Sequence, residues 1–79
     1  MPLKADIELF QQGYKLVLDY EQRLVYRNDR DIELIFNRYD KYAYMRNLKS
    51  INDQVSTSEY TMGLMVAIDH KIQELGWVK

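Results

Sequence analysis

The chain has 79 residues, one proline, three glycines, no cysteine and a formal net charge of −1. That length fits one domain with a thin core, and the lack of cysteine excludes disulfide staples and thiolate metal cages. The near-neutral charge gives no global pull toward nucleic acid or an anionic membrane, and no segment is apolar for long enough to span a bilayer.

Met1-Pro2-Leu3-Lys4-Ala5-Asp6 meets an acid before any apolar run forms, so no signal peptide is expected and a cytoplasmic setting is. The charge is unevenly spread. Residues 23–49 carry Arg23, Arg27, Arg30, Arg38, Lys41, Arg46 and Lys49 against Asp29, Asp31, Glu33 and Asp40, a local excess of +3, while both flanks are mildly acidic. Seven tyrosines stand out in so short a chain. Rings with a polar tip serve the margins of thin cores and also serve interfaces.

With the one proline at position 2, nothing interrupts helical continuity, and the spacing of apolar residues predicts a first helix over about 5–27. Ile7, Phe10, Tyr14, Val17, Leu18, Leu24 and Val25 share one arc of its wheel, and an adjoining stripe of Leu9, Leu16 and Tyr20 widens the apolar surface beyond half the circumference. That excess marks Leu9, Leu16 and Tyr20 as candidate oligomer contacts. Asn28 or Asp29 then caps a second helix over about 30–47, with Ile32, Ile35, Phe36, Tyr39, Tyr42 and Ala43 as its core face. On another face of that helix, Arg30, Leu34, Arg38, Lys41, Met45 and Lys49 gather as an apolar centre with a basic rim. This is interface anatomy and the candidate partner-binding surface, although snorkelling cations beside a packed flank give the same pattern.

Residues 48–54 read as a short connector into a third helix over about 57–75. Ser56 with Glu59 three residues on forms a capping box, and Gly76 supplies a left-handed stop with Trp77 folding back toward Ile72. Gly63 and Ala67, one turn apart, permit close approach of another helix from within the chain or from a second subunit. Strand signals are absent from this reading. The expected fold class is all-α, a three-helix bundle or a long helical hairpin with a docked third helix, oligomeric and dimeric by preference.

Catalytic chemistry finds little material. His70 is the only histidine, and His70 with Glu74 falls short of the three or four ligands that metal sites use. The carboxylate pairs Asp6/Glu8, Asp19/Glu21 and Asp29/Asp31/Glu33 are spaced two apart, which on a helix sends them to different sides. No phosphate loop or nucleophile elbow occurs. Neither catalytic residues, nor a metal site, nor a cofactor is expected.

The stretch Thr57-Ser58-Glu59-Tyr60-Thr61-Met62-Gly63-Leu64-Met65-Val66-Ala67-Ile68 resembles the last helix of phage anti-CBASS cyclic-nucleotide sponges, and Tyr26-Arg27 before an acidic-apolar helix is similar to that family's opening. The resemblance covers only those residues, no glycine precedes Tyr26, and the long first helix has no counterpart. It implies only that an oligomeric nucleotide binder stands as an alternative; read from the residues, Arg30, Arg38 and Lys41 of neighbouring subunits would grip phosphates in it while tyrosines stack on bases. The leading expectation is a small non-enzymatic interaction protein, a homodimer that binds and modulates or inhibits another protein in the manner of a phage or mobile-element anti-defence factor. A small DNA-binding regulator ranks third, because a net charge of −1 and a connector without a tight glycine turn disfavour it.

Overall fold

Gly13 ends the first helix after two turns. In the computed structural model, which describes residues 4–77, Gly13 sits at φ 92°, a conformation that carries little penalty only without a Cβ. The Tyr14 amide N–H donates to the Leu9 carbonyl and the Gly13 N–H to the Phe10 carbonyl, both at 2.9 Å. This is the reciprocal pair of bonds that closes a helix C-terminus. The chain then turns into strand, and the all-α expectation fails from this point.

The element order is α1 (Lys4–Gln11), β1 (Lys15–Asp19), β2 (Arg23–Arg27), β3 (Ile32–Asn37), β4 (Tyr42–Asn47), a short 3₁₀ turn (Thr57–Glu59) and α2 (Met62–Glu74). The four strands form one antiparallel sheet in the order β1-β2-β3-β4. The helix expected over 5–27 is therefore α1 plus a hairpin, and the one expected over 30–47 is a second hairpin. Within the span 57–75 only the part from Met62 is α-helix. The fold is α+β rather than a helical bundle.

Alternation decides the strands. Leu24 and Tyr26 on β2 stand opposite Phe36 and Leu34 on β3, which stand opposite Ala43 and Met45 on β4. These side chains share one face with period two and form a single cluster with Leu9, Leu64 and Ala67 from the helices. Both helices thus lie on the same side of the sheet, and each fully buried aliphatic side chain contributes about 1.5–3 kcal/mol. Tyr26 meets Phe36 edge to face at 5.7 Å between ring centres.

The turns carry the polar residues that helix reading assigned to caps. Asn28 Oδ1 accepts the Arg30 and Ile32 amides within the β2–β3 turn, at 2.9 and 3.0 Å. Asn37 Oδ1 does the same for Tyr39 and Asp40 in the β3–β4 turn, where Lys41 takes φ 58°. Ser56 does not cap α2. Its hydroxyl accepts from the Ser58 amide in the 3₁₀ turn, while Thr61 caps α2 by accepting the Leu64 amide at 3.1 Å. Glu59 pairs instead with Arg30.

The stop at Gly76 is as expected. It lies at φ 77°, and the Trp77 N–H donates to the Ile72 carbonyl at 3.2 Å. Trp77 packs on the core beside Phe36, 6.4 Å between ring centres. Both helices therefore end in the same motif, each sending the following aromatic inward.

Candidate functional site

With both helices on one side, the opposite face of the sheet carries no described helix. Register assigns its residues in cross-strand rows. One row runs Lys15, Arg27, Glu33, Arg46, the next Leu18, Val25, Ile35, Tyr44, and the last Arg23, Asn37, Tyr42. Val25 and Ile35 are 2% and 3% exposed. Since no helix roofs them, their burial comes from the long side chains standing around them, which makes an apolar floor beneath an aromatic and cationic rim.

The charged row is built around a buried carboxylate. Glu33 is 3% exposed. Its Oε2 accepts from Arg27 Nη2 at 2.6 Å and Nε at 3.1 Å, and its Oε1 accepts from Arg46 Nε at 2.9 Å. Burial pushes the Glu33 carboxyl upward, but the two guanidiniums bonded to it outweigh that and hold it below the usual carboxylate range. Glu33 thereby fixes the orientation of both arginines. Arg27 Nη1 and both terminal nitrogens of Arg46 have no partner among the described residues, and Arg23 has no ion-pair partner among them either. On β4, Tyr42 and Tyr44 stack on each other at 5.6 Å with an interplanar angle of 27°, 46% and 40% exposed. The face therefore presents three arginines, two of them bonded to Glu33 and one of these, Arg46, also within the field of Asp53, with two exposed rings beside them.

A second surface lies along the sheet edge. β1 pairs with β2 alone, and its register slips between Leu16 and Leu18 at a bulge. Between β1 and α1 lies an open, mainly apolar groove of about 460 Å³ lined by Asp6, Ile7, Phe10, Tyr14, Lys15, Leu16 and Tyr26. Beneath it, the Tyr26 hydroxyl donates to Asp6 at 2.5 Å, and Lys71, only 3% exposed, reaches the same carboxylate at 3.0 Å. Burial and that bond to Asp6 both push the Tyr26 phenol far above its ordinary value. This polar knot joins α1, α2 and β2. Its groups are matched to one another, so it reads as a structural clamp.

The residues singled out from sequence separate. Leu34 is 1% exposed and Met45 packs against the core cluster, both facing the helices because alternation puts them inside. Arg30 sits in the β2–β3 turn, where Glu59 binds it. Arg38 and Lys41 sit in the β3–β4 turn, Arg38 donating to Asp19 and to the Tyr20 carbonyl. Lys49 follows β4 and lies 3.6 Å from Asp31. The six residues of β3 hold the two turns about 20 Å apart, so Arg30, Arg38 and Lys41 form no cluster in one chain. The helix face that grouped the six does not exist.

Of the proposed oligomer contacts, Leu9 and Ala67 are fully buried inside the chain. Gly63 lies against the Gln12 side chain, where a Cβ would come within 2.5 Å of Nε2, so the small-residue stripe serves the contact with α1. Leu16 and Tyr20 are exposed, at 44% and 53%. His70 meets Glu8 through Nδ1 at 2.7 Å rather than Glu74, which accepts from the Ala5 amide. The segment after Tyr26-Arg27, read as a helix in the sponge resemblance, is a turn into β3.

Among the described residues no group of three His, Asp or Glu side chains is placed to hold a metal, and no helix is long and apolar enough to cross a membrane. The chain matches no protein-family model, no curated protein and no solved structure.

Proposed function

We propose that the protein is a non-enzymatic binding module of the cytoplasm whose working surface is the uncovered face of the sheet, and that its partner is anionic. The observation that carries this is the Arg27–Glu33–Arg46 row. A carboxylate spent inside the protein orients two guanidiniums that stay 42% and 44% exposed, and further along β2 on the same face stands Arg23, which has no ion-pair partner among the described residues. Planar, pre-aimed donors suit carboxylate and phosphate groups better than flexible ammonium groups do. An apolar floor ringed by cations is the arrangement expected of an interface.

Retention on immobilised heparin in low salt tests this reading. The wild type is retained and elutes as salt rises, while Arg23→Gln with Arg46→Gln elutes early and keeps its far-UV spectrum. Equal elution of wild type and variant contradicts the reading.

A second reading, self-association, is favoured by the open edge of β1. Leu16 and Val17 are 44% and 43% exposed there, next to Ile7 and Phe10 at 44% and 62%. Unpaired apolar edges are templates for pairing with another chain. In an antiparallel pairing of two copies about Val17, the Lys15 end of one strand meets the Asp19 end of the other, whereas parallel pairing sets like charges together. The partner on this edge is a second copy. Light scattering at micromolar concentration gives a dimer mass for the wild type and a monomer mass for Leu16→Asp, and a monomeric wild type rules the reading out.

A further inference from the structure

The anion-seeking face also carries what is needed to hold bases. We infer that its partner is a single-stranded nucleic acid, a step that rests on the proposed use of the same sheet face. An acidic protein surface needs only the cations. Tyr42 and Tyr44 add two aromatic rings, stacked at 5.6 Å and 46% and 40% exposed, on β4, which also carries Arg46 and pairs with the strand of Glu33. A stacked pair leaves the outer side of a ring open to a third planar group, and every base has such a face. Base stacking on tyrosine with phosphates on arginine is how single strands are held without reading sequence.

The layout supports a strand crossing the sheet. Arg27 and Arg46 flank Glu33 from the neighbouring strands with both guanidiniums drawn onto its carboxylate, and Arg23 lies four residues along β2 from Arg27, about 14 Å away. The cations thus form a path past the tyrosine pair rather than one pocket. Val25 and Ile35 give the path a dry floor. A duplex, whose bases are stacked inside, offers phosphates to the arginines but nothing to the rings. The overall charge of −1 puts the whole weight of attraction on this face, so binding is salt-sensitive and modest.

The test is fluorescence anisotropy of the full chain with labelled twelve-residue oligothymidylate, oligouridylate and a twelve-base-pair duplex, with polyglutamate as competitor. The single strands are expected to bind more tightly than the duplex. Their affinity falls about tenfold between 50 and 200 mM salt, as expected for about two or three phosphate contacts at a slope near −0.7 each. Tyr44→Ala and Tyr42→Ala each weaken binding about tenfold, while Tyr44→Phe, which keeps the ring, binds as wild type. Thermal melts of the alanine variants show that the fold is intact. The two single strands separate DNA from RNA preference.

The inference is overturned if neither single strand binds at 50 mM salt, or if the alanine variants bind as wild type. It is also overturned if the duplex binds as well as the strands, or if polyglutamate displaces them at equal charge. If heparin retention persists in the arginine-dependent way while the tyrosine variants are silent, the face takes anions without bases. In that event only the present step fails, whereas loss of both signals removes the proposed function as well.

Discussion

Leu34→Ala separates the sheet architecture from the helical alternative by energy alone. On the helix expected from sequence, Leu34 is the centre of an exposed face, and truncating a surface side chain changes stability by no more than about 0.5 kcal/mol. In the structure Leu34 is 1% exposed, opposite Tyr26 on one side and Met45 on the other, inside the main core cluster. Removing a buried isobutyl group costs the lost transfer energy plus a cavity term, about 2–5 kcal/mol. A value near 3 kcal/mol is expected here, because the flanking strands fix the walls and limit collapse. The total stability of a domain this size is about 4–12 kcal/mol, so Tm falls by about 12–24 °C. Urea unfolding followed by fluorescence of Trp77, the single tryptophan, against Phe36 reads the change directly. A loss below about 0.5 kcal/mol, or a Leu34→Asp variant that stays folded, refutes the placement of this residue.

Lys41→Gly is expected to raise stability by about 1 kcal/mol in the same assay, since Lys41 occupies the left-handed region at φ 58°, which penalises any side chain. Tyr14→Phe is expected to be neutral or slightly stabilising. The buried Tyr14 hydroxyl and Asn28 Nδ2 have no hydrogen-bond partner among the described residues, so removing the hydroxyl takes away an unsatisfied buried group and costs the fold little. Glu33→Gln lowers stability near neutral pH. Because the Glu33 carboxyl titrates below its unfolded value, its contribution is present above the ordinary carboxylate pKa and is lost as pH falls through the folded one. The gap between the wild type and Glu33→Gln melting curves should therefore begin to narrow below about pH 4 and close as pH falls through the lower folded value, and a constant gap down to pH 2 contradicts the pairing.

Parts of this fold are written legibly in the chain. Gly76 with Trp77 marks the end of α2, and the apolar spacing of Leu64, Ile68 and Ile72 marks its core side. The sheet is harder to read because it is apolar on both faces at its centre. Leu24-Val25-Tyr26 and Leu34-Ile35-Phe36 are unbroken apolar runs, and such runs satisfy a helical wheel as well as a strand. Ile32, Ile35, Phe36 and Tyr39 even follow helical spacing, while Ile32, Leu34 and Phe36 follow strand spacing. The arbiters were punctuation and residue type. Gly13, the Asn28-Asp29 pair and Asn37 to Asp40 recur at turn intervals, and Val17, Val25, Tyr26, Ile35, Tyr42 and Tyr44 are β-formers.

The interface pattern sought on a helix, an apolar centre with a basic rim, does occur, but period two selects other residues. Val25 and Ile35 replace Leu34 and Met45, and Arg23, Arg27 and Arg46 replace Arg30, Arg38 and Lys41. The basic excess in residues 23–49 was the signal that could have found them. The orienting role of Glu33 was beyond sequence, since it depends on a register that sets one residue of β3 between one of β2 and one of β4.

The most direct measurement of the central claim is an amide and arginine side-chain chemical-shift map recorded while short oligothymidylate is titrated into the labelled protein. If the uncovered sheet face is the working surface, the shifts gather on Arg23, Val25, Arg27, Ile35, Tyr42, Tyr44 and Arg46 and leave α2 undisturbed. Shifts confined to Ile7, Phe10 and Leu16 along the β1 groove, or no shifts at saturating oligonucleotide, contradict it.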